Sequence, residues 1–246
     1  FFGMHAWALA LGAFYEEALA VTHWLSGDAI RHRLDLVLPY AYSALAVVEA
    51  GLGRQPEARE SVETAHRLAR QVNDENGMQN CYAIRVRVLL QGGSAVEACS
   101  VEPPDISRAL PSMRGEVLSS RALALATIGR VEGAQGWVDG VLESRAGIET
   151  QALCAAVRAV CALKRRSDDL IDRCEDLVAH VFDHGSADIA ITAYRANPEL
   201  LAALVTSRKA RDEVVYLTRR AGDDELVNAL GLSTSAVVDP ASRLSA

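Results

Sequence analysis

The sequence predicts an all-α fold of stacked helix pairs, and three observations carry that prediction. The apolar half of the chain is dominated by alanine and leucine, with aromatic residues at only 5%. Runs such as Ala44-Leu45-Ala46 and Ala122-Leu123-Ala124-Leu125-Ala126 are among the best helix formers, whereas strands would draw on Val, Ile, Thr and aromatic residues. Glycines recur where one periodic stretch ends and the next begins, which suits a left-handed cap followed at once by a second helix.

The third observation is internal repetition. The stretch Ala46-Val47-Val48-Glu49-Ala50-Gly51-Leu52-Gly53-Arg54-Gln55-Pro56-Glu57-Ala58 is answered 76 residues later by Ala122-Leu123, Ala126, Gly129-Arg130, Ala134 and Val138. In the other direction, 40 residues earlier, Ala13, Phe14, Tyr15, Glu17 and Ala18 fall in register with Gly53 to Ala58. These spacings imply units of about 38 residues with one degenerate unit between. That unit reads Val86-Arg87-Val88-Leu89-Leu90-Gln91-Gly92-Gly93, and its second helix is expected to be short because Pro103 and Pro104 interrupt it. An alanine five residues past each turn position lets the paired helices approach closely.

Taken in order, the pattern places helices at 4–12, 15–25, 34–52, 56–72, 78–91, 94–99, 113–128, 131–144, 148–165 and 168–183. Pro56 stands where a second helix starts and no amide donor is needed. Ser167 with Asp168 and Asp169 caps the last of these after the basic end Lys164-Arg165-Arg166. Beyond His184-Gly185 the period fades, and helices follow at 187–196, 198–206, 208–221 and 223–230. The division is therefore 1–185 as helical repeats, 186–232 as a carboxy-terminal helical cap and 233–246, rich in Ser, Thr, Ala, Asp and Pro, as a linker.

Composition narrows the function classes. A net charge of -7 opposes adhesion to phosphate backbones and to anionic lipid. No apolar run is long enough for a membrane span, and the start lacks a secretory pattern, so a cytoplasmic protein without membrane contact is expected. The opening Phe1-Phe2-Gly3-Met4 reads as part of a helix, and the chain is taken as a piece of a longer protein.

No catalytic motif emerges. A phosphate-binding Gly-Lys-Ser/Thr loop is absent, and neither a Ser-His-Asp nor a Cys-His arrangement can be assembled. His180 and His184, at i and i+4, share a helix face with Asp183 beside them, but two ligands are too few for a metal site and the pair suits a helix carboxy terminus. Five cysteines, Cys81, Cys99, Cys154, Cys161 and Cys174, stand in apolar helical sequence without C-x-x-C spacing, so buried reduced thiols are the natural reading, Cys154 and Cys161 sharing one stripe. Arg208, Lys209, Arg211, Arg219 and Arg220 are interleaved with Asp212, Glu213, Asp223 and Asp224, the pattern of a solvated face more than of a phosphate-binding one. No catalytic residue, metal or cofactor is expected.

The spacing of Gly53 to Ala58 and of Gly129 to Ala134 resembles the tetratricopeptide repeat, although the Trp-x-x-Leu-Gly start is blurred and no unit ends in that repeat's proline. The resemblance implies a right-handed α-solenoid of antiparallel helix pairs. Such domains bind on their concave face through first-helix residues, and here Trp7, Tyr42 and Tyr82 are the candidate lining, against the plainer reading that large side chains fill gaps between alanine-rich helices. The run Asn197-Pro198-Glu199-Leu200-Leu201-Ala202-Ala203-Leu204, then Tyr216-Leu217-Thr218-Arg219-Arg220-Ala221-Gly222-Asp223-Asp224 and Leu230-Gly231-Leu232, is similar to the helical-repeat region of the large LuxR-type transcriptional regulators. That resemblance implies a sensor and coupling domain that binds a small-molecule effector or a protein partner, and that touches DNA only through a helix-turn-helix domain lying beyond this sequence. The alternative is a protein-interaction scaffold of the same fold with no part in DNA binding.

Overall fold

A computed structural model of the chain describes residues 2–142 and 147–231. Among them are fourteen helices and no strand: α1 (Phe2–Leu11), α2 (Tyr15–Arg31), α3 (Leu38–Gly51), α4 (Gln55–Gln71), α5 (Glu75–Gln91), α6 (Ala95–Ser100), α7 (Pro111–Thr127), α8 (Val131–Leu142), α9 (Ile148–Arg165), α10 (Leu170–His184), α11 (Ala187–Ala196), α12 (Pro198–Thr206), α13 (Arg211–Arg220) and α14 (Asp224–Ala229). The expected linker at 233–246 lies outside the described residues.

One turn joins the pairs. At Gly53 the backbone is left-handed (φ +75°), Arg54 N–H donates to the Glu49 carbonyl and Gly53 N–H to that of Ala50, the two bonds of a Schellman cap. Gly93 and Gly129 do the same, and so do Ala13 and Asn73, at φ 61° and 54°. Ala13 thus adopts the conformation of the glycine with which it aligns, although its Cβ makes that conformation costly. The alanines five residues on, Ala18, Ala58, Ala98 and Ala134, are all buried.

Element ends depart from expectation where a cap or a proline intervenes. α5 begins at Glu75, three residues early, since the Asp74 carboxylate accepts from Gly77 N–H at 2.9 Å, an N-cap of ordinary type. α3 begins only at Leu38, with Pro39 in its first turn. α2 runs on to Arg31, because Ser26-Gly27 in its middle does not break it. α6 stops at Ser100, ahead of Pro103 and Pro104, with extended backbone at Val101.

The first helices of successive pairs touch one another in series, α1 with α3, α3 with α5, α5 with α7 and α7 with α9. α11 then packs against α1, α5 and α9 as well as its neighbours α10, α12 and α13. Its residues Ala187 to Tyr194 are all buried, so every face of the helix must be apolar or partnered. Ile189, Ile191 and Ala193 meet the first condition. Thr192 and Tyr194 meet the second, and Asp188 meets it at one of its two oxygens, Oδ2 having no hydrogen-bond partner: Tyr15 Oη donates to Asp188 Oδ1 (2.8 Å), Gln91 Nε2 donates to Asp188 Oδ1 (3.1 Å) and to Thr192 Oγ1 (2.8 Å), and Tyr194 donates to Asp223. Arg195 completes the anchor. Its Nε–H reaches Asp223, Nη1 reaches Gln91 Oε1 and the Ala50 carbonyl, and Nη2 reaches the carbonyls of Gly51 and Ala221, all within 3.1 Å. A cation at the carbonyl-bearing end of α3 is well placed against the helix dipole.

Candidate functional site

The shortened α6 has a consequence for the surface. Where a full second helix would cover the flank of α5, the chain instead runs extended through Pro103 and Pro104, and a cleft of about 800 Å³ opens between α4, α5 and residues 100–108. That volume falls in the range of small-molecule sites. Val62, Gln79, Cys81 and Tyr82 form its buried floor, Met78, Val101 and Pro104 its half-buried walls, and Glu63, Glu75, Glu102 and Asp105 its exposed rim, with His66, Arg85 and Arg108.

The segment is tied down at two points. Gln79 Nε2 donates to the Asp105 carbonyl at 3.0 Å, and the Asp105 carboxylate accepts from Ser107 N–H at 2.8 Å, a local turn typical of aspartate. The Ser107 bonds hold the Asp105 carboxyl below its usual range. Arg85 pairs with Glu63 across the α4–α5 flank at 3.1 Å. On the floor, Gln79 Oε1 is buried and has no hydrogen-bond partner. Burial pushes the Cys81 thiol up to about 11, its contact with Ser43 Oγ at 3.6 Å opposing that rise, so Cys81 is a protonated, inert group at neutral pH. Burial likewise raises Tyr82, against the pull of Arg121.

Of the three aromatic residues expected to line a binding face, Tyr82 borders this cleft. Trp7 and Tyr42 do not; both are half-buried and pack against the core. Sequence reasoning missed Gln79, which sits in Met78-Gln79-Asn80 as an unremarkable polar residue, and the one available signal was the proline pair that truncates α6.

A second polar centre lies inside the fold. Arg87, on α5, is 1% exposed; none of its three nitrogens has a hydrogen-bond partner, and Glu149 on α9 stands 3.5 Å from Nη1. Glu116 on α7 is buried beside them, its carboxyl pushed up to about 8 by burial and by the Glu149 charge, with Arg87 opposing. Asp188 is raised by burial, while Arg87, Tyr15 and Gln91 pull it back. A charge placed within Val86-Arg87-Val88-Leu89-Leu90 was the sequence signal for this centre.

The remaining candidates resolve as local structure. His180 and His184 lie with ring centroids 6.1 Å apart at the end of α10, and among the described residues no group of three metal-ligating side chains occurs. All five cysteines are free thiols, four of them buried. In the basic stretch, Lys209 pairs with Glu175 at 2.7 Å and the Arg220 guanidinium lies 3.1 Å from the centre of the Phe14 ring. No helix among the described residues is long and apolar enough to cross a membrane. No family model matches the chain, and neither the curated proteins nor the solved structures contain a significant match to it.

Proposed function

We propose that the chain is the sensor and coupling domain of a LuxR-type transcriptional regulator, a right-handed α-solenoid of tetratricopeptide-like pairs, and that the cleft between α4, α5 and residues 100–108 receives its effector. The observation that carries this reading is the cleft itself: a site-sized concavity with a mixed floor, a few fixed polar groups and a charged rim, left open where α6 ends early. The regulator part rests on the phrases from Asn197 to Leu232.

A coupling route accompanies the site. The flank of α5 that bears Gln79 and Tyr82 faces the cleft, while Gln91 at the end of the same helix holds Asp188, Thr192 and Arg195 of α11. An effector that prefers one setting of α5 therefore biases the carboxy-terminal helices, which is all that a population shift requires. The test is a mobility shift on the promoter region of the gene, with this chain and with a chain extended past Ala246 by a helix-turn-helix domain. DNA binding by the longer chain alone, altered when Met78→Trp fills the cleft, supports the reading. Binding that ignores Met78→Trp, or none by either chain, removes it.

A further inference from the structure

We draw no further inference here: the strongest candidate, the exposed face of α8 on which Gly133, Gly136 and Gly140 stand open beside the exposed Trp137, is a stripe of small residues, and nothing in the structure shows what covers it.

Discussion

Tyr15 Oη donates to Asp188 Oδ1 at 2.8 Å, joining the first turn of α2 to the first turn of α11 across 173 positions of sequence. Both groups are buried, and the bond belongs to a network in which Gln91 and Arg195 also share. With the bonds of Arg195 to the end of α3, it ties the amino-terminal helices to the carboxy-terminal segment, and one substitution interrogates it.

Replacing Tyr15 by Phe keeps the ring and removes one donor from a buried carboxylate. A cost of about 1 kcal/mol is expected, the net worth of one hydrogen bond, since Gln91 still donates to the same oxygen, read as a lower denaturant midpoint. An unchanged midpoint would show that water takes over the bond and that α11 is less enclosed than described.

Arg87 and Arg195 are both expected to be costly to remove, for different reasons. Arg195 has all five N–H donors engaged, including four bonds to carbonyl groups, whereas Arg87 has only the 3.5 Å pairing with Glu149. Arg195→Met strands Asp223 and the end of α3, at about 3–5 kcal/mol. Arg87→Met takes away the cation that faces Glu149 beside the buried Glu116, so it too is expected to cost about 3–5 kcal/mol, although no hydrogen bond is lost. Unfolding curves of the two variants side by side test it, and a cost under about 1 kcal/mol for either would refute its assignment.

Glu116 makes stability depend on pH. Its carboxyl is raised to about 8 in the folded chain by burial and by Glu149, with Arg87 opposing. The folded state therefore holds a proton that the unfolded state releases at ordinary carboxylate pH, around 4.3. The contribution is complete below that ordinary value and is lost as pH rises towards 8, at up to about 1.4 kcal/mol per pH unit. Glu116→Gln is expected to flatten that decline. Urea unfolding measured from about pH 5 to about pH 9 tests the claim, and an equal slope in both proteins would place the titration elsewhere.

Two glycine-to-alanine exchanges in helices should have opposite signs. At Gly51, an added Cβ would run into the Tyr15 ring, and overpacking of a core contact costs about 1–3 kcal/mol. At Gly140, on α8, the Cβ meets nothing within 4 Å, so Gly140→Ala should stabilise by about 0.5–1 kcal/mol through the lower backbone entropy of the unfolded chain. Melting temperatures of both variants are sufficient, and a stabilised Gly51→Ala would mean that Tyr15 can move aside.

Much of the helix layout was legible because the signals are local. Gly53, Gly93 and Gly129 announce Schellman caps whose bonds span only five residues, and the buried alanines follow each cap at a set distance. Ala13 could be aligned with Gly53 before its φ of 61° was known, because the sequence around it repeats. The missed start of α5 also had a local cause, the Asp74 N-cap, which the apolar pattern alone does not register. The candidate site was only partly legible: Tyr82 was among the residues expected at a binding face, and the proline pair foretold the short α6, but that the truncation opens a cleft with Gln79 on its floor required the neighbouring α4.

The sequence by itself determined the all-helical class, the pairing turns and the buried alanines that follow them, since each depends on contacts within a turn or two of one helix. Only the tertiary structure decided that α11 lies against α1, α5 and α9, that Arg195 reads the carbonyls at the end of α3, and that Asp188 meets Tyr15. The physical reason is cumulative. The bonds that seat α11 join residues up to 173 positions apart, and its place depends on how all the helices between pack on one another, a quantity that no local pattern encodes.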